Sequence, residues 1–262
     1  MRFRAAFPAA TLAPDDFPPA SAGLNSMFGG ADSDLQDRLA SALSAVMSLR
    51  AQLAADPQLS RRWHAVKQFQ ADRLRATYRD LLASVRYREP CEFFLEELYG
   101  AHDFERRDAE AQRVVPKLAR MLPARAVETL LLAVQLDELS ERFDSELARK
   151  LALPVTAAAY AAAYPTVGSE VERERQIELV DEIGRALDKL ARIPMLSTML
   201  HMMRGPAEMW GLSHLHHFLQ RGFDAFSGMG GARDFLATVR RRESTVNHRL
   251  FAGDPDPFRP VD

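Results

Sequence analysis

Three groups of side chains in this chain have the types and spacing to do chemistry. The first lies in the stretch CEFFLEELYG, residues 91–100, which sets Glu92, Glu96 and Glu97 close together. Grouped carboxylates serve as general acids and bases or as ligands for hard cations. A di-metal helical bundle draws on Glu-x-x-His pairs from facing helices, and here Leu95, Tyr99 and Gly100 stand three residues after the glutamates. The second group is His214, His216 and His217. At about 100° per residue only His214 and His217 share a helix face. One helix therefore cannot supply three ligands to a tetrahedral zinc, and surface or boundary histidines are expected. The third group is Met195, Met199, Met202, Met203 and Met209 around His201. Thioethers suit Cu(I), but methionine also fills irregular gaps and lines adaptable binding surfaces. Packing is the default expectation here, with a soft ligand-binding groove as the alternative.

The arginines form a fourth set. Arg173, Glu174, Arg175 and Gln176 follow an acidic helix start at Glu170 and Glu172. Charged first turns are usually solvated faces, yet a guanidinium is the best bidentate partner for a carboxylate. The spacing thus suggests that Arg173, Arg175 or Arg107 pairs with Glu96 or Glu97 at a helix junction. Arg240, Arg241 and Arg242 read as a solvated face in a chain of net charge −2, a balance that argues against broad nucleic-acid binding. No nucleophile elbow, zinc-protease motif, phosphate loop or dinucleotide fingerprint occurs. No catalytic residue, metal or cofactor is assigned.

On a helix starting from Cys91 at 0°, Phe94 falls at about 300°, Leu98 at about 340°, Leu95 at about 40° and Tyr99 at about 80°. These residues make one apolar face, on which Cys91 behaves as a small hydrophobe. Phe93 falls at about 200°, among the glutamates. The helix is then either enclosed on two sides, or it shows Phe93 to a partner as an aromatic anchor ringed by carboxylates.

The run Phe93-Phe94-Leu95-Glu96-Glu97-Leu98-Tyr99 resembles the signature of the bacterial FFLEELY-motif proteins, an uncharacterised family. Asp103-Phe104 with Arg107-Asp108, and Arg173-Glu174-Arg175-Gln176, are similar to that family too. The resemblance spans roughly residues 33–251. It implies no activity and no catalytic residues.

The elements that must position these groups are helices. Apolar residues recur at helical spacing from residue 32 onward, and no stretch shows sustained alternation between hairpin turns. Asp56-Pro57 and Glu89-Pro90 read as helix starts, and Gly100, Gly205-Pro206 and the Gly228–Gly231 turn as helix ends. The stripe Leu59, Trp63, Val66, Leu74, Tyr78, Leu81, Val85 reads as one continuous helix. The expectation is an all-α protein: a single domain of about nine or ten helices over 32–252, a disordered leader over 1–31 rich in Pro, Gly, Ser and Ala, and a flexible tail over 253–262. No apolar run reaches the roughly 20 residues needed to span a bilayer. A single cysteine excludes an intrachain disulfide and fits a reducing cytoplasm.

These features suggest a non-catalytic interaction or regulatory module that meets a protein partner or a second copy of itself. The alternative is a helical bundle binding a small molecule or a metal in a polar Glu/Tyr/Arg pocket. Either way the residues singled out are Phe93, Glu96, Glu97, Tyr99, Arg107, Asp108, Arg173 and Arg175.

Overall fold

The computed structural model describes residues 33–97, 110–111, 113–115, 124–193 and 195–261. All regular structure among them is helical. The helices are α1 (Ser33–Ala54), α2 (Pro57–Thr77), α3 (Arg79–Ala83), α4 (Arg88–Glu97), α5 (Ala124–Lys150), α6 (Ala157–Ala163), α7 (Glu170–Ala191), α8 (Leu196–Met202), α9 (Arg204–Met209), α10 (Ser213–Gly228) and α11 (Arg233–Phe251). A 3-10 turn, Tyr164–Thr166, follows α6. The expected leader lies outside the described residues.

Local chemistry sets the boundaries. The Asp56 carboxylate accepts hydrogen bonds from the amides of Gln58 and Leu59, at 2.9 and 3.1 Å. It thereby satisfies two donors that the first turn of α2 leaves free, with Pro57 preset for helix at the first position. Ser169 and Glu172 close a reciprocal capping box on α7. The stripe read as one helix through Val85 is broken at Tyr78, which separates α2 from α3. Arg242 covers this break, donating to the Thr77 carbonyl at 2.9 Å and to Asp80. Leu81 stays buried while Val85 is exposed. Gly205 and Pro206, read as a helix end, fall instead in the first turn of α9.

Helix α5 is the hub: it packs against α1, α2 and α7, while α11 lies on α7 and α10 lies on α4 and α7. The buried residues separate into three clusters. One gathers Phe143, Leu147, Tyr160, Tyr164 and Val246. A second gathers Leu74, Cys91, Leu95, Phe226 and Phe235. The third gathers Leu39, Val115, Val127, Leu131 and Leu212. The two ends of α5 thus feed different clusters, Val127 and Leu131 at one end and Phe143 and Leu147 at the other. Between Leu131 and Glu141 no residue of α5 is fully buried, although this stretch lies inside the bundle. A gap in the packing lies there. After α11 the chain turns back, and the Phe258 ring lies 5.9 Å from Phe69 and 6.2 Å from Tyr160. The Pro/Asp composition suggested a loose tail. Phe258 packs on the first cluster, and Arg259 pairs with Asp254 within the tail itself.

Candidate functional site: a two-part cavity inside the bundle

The gap at mid-α5 is a cavity of about 330 Å³ where the second and third clusters face each other. Its apolar wall comes from Leu43 and Val46 on α1, Leu130 and Val134 on α5, and Phe94 and Phe235. Cys91 also lines it, and burial pushes its thiol up to about 12, well away from the reactive thiolate. The volume and the predominance of apolar walls are those of a site for a small organic molecule.

One side of this cavity is polar. Lys67 reaches it from α2, and Asp137, Ser140 and Asp144 reach it from α5. The Lys67 ammonium lies 3.1 Å from Glu141 and 3.5 Å from Asp144. Arg50 also pairs with Glu141, at 3.1 Å, and with Asp137, at 2.7 Å. The Trp63 indole donates to the second Glu141 oxygen at 3.0 Å. Glu141 is therefore surrounded by donors. Burial opposes its charge, but Lys67 and Arg50 outweigh burial and hold its carboxyl below the usual range. Asp144 shares the same ammonium and otherwise receives Gln70 at 2.8 Å. For Asp144 burial wins, and its carboxyl is pushed up toward the neutral form. Burial likewise opposes the charge on Lys67, yet the combined fields of Asp144, Glu141 and Asp137 raise it.

A second, smaller cavity of about 80 Å³ adjoins the first. Ser140, Asp144, Gln176, Val180, Val239 and Glu243 line both, so these six side chains form a common wall. Gln176 donates to Ser140 across that wall at 2.7 Å. Glu243 accepts from Arg73 at 2.7 Å and from the Tyr78 hydroxyl at 2.8 Å. The small chamber is otherwise lined by Gln70, Tyr160, Tyr164, Asn247 and Arg173.

The residues singled out from sequence are dispersed. Phe93 is only 5% exposed; its ring stacks near Phe218 at 5.5 Å and Phe94 at 5.9 Å. Helix α10 covers it at Gly222, where a Cβ would stand 2.8 Å from the ring. Of the two arrangements open for this helix, the enclosed one is found, and Phe93 is no surface anchor. Glu96 pairs with Arg221 on α10, not with Arg173 or Arg175. Arg175 is exposed and bonded to Glu178 and Glu182 of its own helix. Arg173 is buried, and it lines the small chamber. Tyr99, Arg107, Asp108 and the side chain of Glu97 lie outside the described residues.

The other groups are likewise separated. His214 bonds to Glu110 at 2.7 Å, and His216 to the Leu200 carbonyl at 2.8 Å. Among the described residues no cluster of three or more His, Cys, Asp or Glu is arranged to hold a metal ion. Met195, Met199, Met202, Met203 and Met209 are all exposed, not core. Arg240 lies near Glu178 and Asp181, while Arg242 turns inward to Asp80. No helix among the described residues is long and apolar enough to cross a membrane.

Sequence reasoning passed over Lys67, Gln70, Arg73, Glu141, Asp144 and Glu243. A signal was present in α2. With Leu59 at 0°, Gln70 falls at about 20°, Lys67 at about 80° and Arg73 at about 320°, inside the arc of the apolar stripe. Polar side chains on a buried face require buried partners.

No curated protein and no solved structure matches this sequence. A family model does match, over residues 49–257, and so covers α2 through α11 and all of the larger cavity's lining except the part that α1 supplies before residue 49: the chain belongs to a family defined by a domain of unknown function, DUF8198.

Proposed function

We propose that this chain is a ligand-binding helical bundle that encloses a small, largely apolar molecule, and not a catalyst. The observation that carries this reading is the cavity of about 330 Å³ at mid-α5, apolar on most sides and polar on one. Empty apolar space of this size forfeits packing energy that a filled core would hold. A bound molecule would recover it. The surface cleft beside α10 is larger, about 760 Å³, but it is open to solvent and its walls mix Val85, Pro90 and Ala225 with charged side chains. Its arginines already have partners: Arg86 the Met229 carbonyl, Arg204 the Glu208 carboxylate in the same cleft, and Arg221 the Glu96 carboxylate. The buried thiol Cys91 and the interior carboxylates, paired with Lys67 and Arg50, offer no activated nucleophile.

Native mass spectrometry of the purified chain, followed by titration with the neutral probe dodecanol, tests the reading. The expected result is a saturable one-to-one complex, lost when Ala133→Trp fills the cavity from α5. Dodecanol binding unchanged in that variant, or no binding to the natural chain, would overturn it.

A second reading rests on a different observation. Met195, Met199, Met202, Met203 and Met209 are exposed around α8 and α9, beside exposed Ile193. Adaptable thioether surfaces suit protein contacts, so this patch supports a partner-binding or self-associating role. Light scattering across a concentration series is its test: dimerisation abolished by Met199→Glu with Met202→Glu supports it, and a monomer throughout removes self-association.

A further inference from the structure

Arg173 presents a chemical anomaly. Its side chain is 3% exposed, and a guanidinium stays charged at any pH a folded protein meets. Buried charges are ordinarily paired with an opposite charge or fully hydrogen-bonded. Here Nε and Nη2 are both buried and have no hydrogen-bond partner. The guanidinium is held between two aromatic faces, 3.8 Å from the Phe143 centroid and 4.3 Å from that of Tyr164. Those rings fix its plane and partly compensate its charge, but they accept none of its N–H bonds in the ring plane. Gly168, at φ +77°, makes room for this stack, since a Cβ there would stand 2.4 Å from the Phe143 ring.

The other polar groups around the chamber are bonded to one another. Arg73 is paired with Glu243, and Lys67 is shared by Glu141 and Asp144. Gln70 is spent on Asp144 and Tyr160. Asn247 is spent on Tyr164 and the Glu170 carbonyl. The chamber therefore holds a buried guanidinium with two N–H donors still available, behind the polar wall of the apolar cavity.

We infer that Arg173 receives the carboxylate of an amphipathic monocarboxylic acid, whose hydrocarbon part occupies the larger cavity across the shared wall. This rests on the ligand-binding reading above and adds the class of ligand. A carboxylate matches the planar donor pattern of a guanidinium. It offers acceptor oxygens to the two unpartnered N–H donors while bringing only a single negative charge. A phosphate dianion would bring a second charge toward Asp144 and Glu243, which already stand on the wall. Burial favours the neutral form of Asp144, which eases the approach of a single anion. The Gln176–Ser140 hydrogen bond lies on that wall, so the headgroup passes by displacing one amide side chain.

The test compares dodecanoate, dodecanol and dodecyl phosphate below their aggregation concentrations, by calorimetry on the full chain. Dodecanoate is expected to bind about tenfold or more tightly than dodecanol, from the charge-assisted bonds to Arg173, and more tightly than dodecyl phosphate. Arg173→Met is expected to bring dodecanoate down to the affinity of dodecanol while leaving dodecanol unchanged. Equal affinities for dodecanoate and dodecanol in the natural chain would overturn the headgroup assignment and leave the cavity reading standing. Absence of binding by all three would remove both. A preference for dodecyl phosphate, or a dodecanoate preference that survives in Arg173→Met, would likewise overturn the assignment. The comparison in the natural chain decides the matter even if the variant does not fold.

Discussion

Replacing Lys67 with Met removes the ammonium shared by Glu141 and Asp144, at 3.1 and 3.5 Å. The two carboxylates are left in unequal positions. Glu141 keeps Arg50 at 3.1 Å and the Trp63 indole at 3.0 Å. Asp144 keeps neutral Gln70 as its hydrogen-bond donor and the weaker field of Arg173. Removing one partner of a buried ion pair costs about 3–5 kcal/mol. Because Asp144 can take up a proton, the lower end, about 3 kcal/mol near neutral pH, is expected. The cost depends on pH with a definite sign. The Asp144 carboxyl already lies above its usual value through burial, and loss of Lys67 raises it further. The folded state then binds the proton more tightly than the unfolded chain. Stability is retained below the ordinary carboxylate range and lost as pH rises through the raised folded value. Urea unfolding should therefore show Lys67→Met less damaging at about pH 5 than at about pH 8. Adding Asp144→Asn should recover about 2 kcal/mol at the higher pH, because the stranded charge is gone while an acceptor for Gln70 remains. A loss under about 1 kcal/mol, equal at both pH values, would refute the view that Lys67 compensates these carboxylates.

Three further outcomes follow from the packing and caps. Phe93→Ala should cost about 3–5 kcal/mol in thermal or urea unfolding, and Gly222→Ala should also destabilise despite its gain in helix propensity, because its Cβ would meet the Phe93 ring at 2.8 Å; a neutral result for both would contradict the enclosure of α4 by α10. Asp56→Ala should cost about 1 kcal/mol by freeing two amides at the start of α2, and no change in melting temperature would show that cap to be inconsequential. Cys91 should react with a thiol reagent only when the protein unfolds, given its burial and raised pKa; rapid labelling of the native chain would mean that the cavity is open to solvent.

The sequence made the helices legible because their signals are local. Asp56-Pro57 and Ser169 mark helix starts through bonds spanning two or three residues, and the apolar stripes carry their own period. The break at Tyr78 was hidden because the residue that bonds the Thr77 carbonyl there, Arg242, comes from a distant helix. Phe93 posed a question that the wheel could frame but not answer, since the covering residue, Gly222, is remote in sequence. The interior site was the least legible. Lys67 meets Glu141 and Asp144, and Arg73 meets Glu243, only through the tertiary arrangement. Among the arginines, Arg173 and Arg175 are neighbours of the same type, yet one is sealed inside and the other solvated. Position on the helix does tell them apart: at about 100° per residue they stand about 200° apart, with Arg173 on the stripe of Ile177 and Val180 and Arg175 on the opposite face, and α7 is buried on one side by α5 and α11.

The buried ion pairs also constrain which assemblies of these helices are tolerated. A one-turn slip of α2 along α5 would carry Lys67 about 5.4 Å past its carboxylates. An apolar seam of leucines and valines could absorb such a slip with modest loss, because one hydrophobe substitutes for another. Lys67, Glu141 and Asp144 cannot, since each would lose its partner while still buried. The ladder linking Arg50, Glu141, Lys67, Asp144 and Gln70 joins α1, α2 and α5 at a single alignment. It acts as a proofreading device for helix register, penalising near-native arrangements that greasy contacts alone would accept, and so preserves the dimensions of the space the bundle encloses.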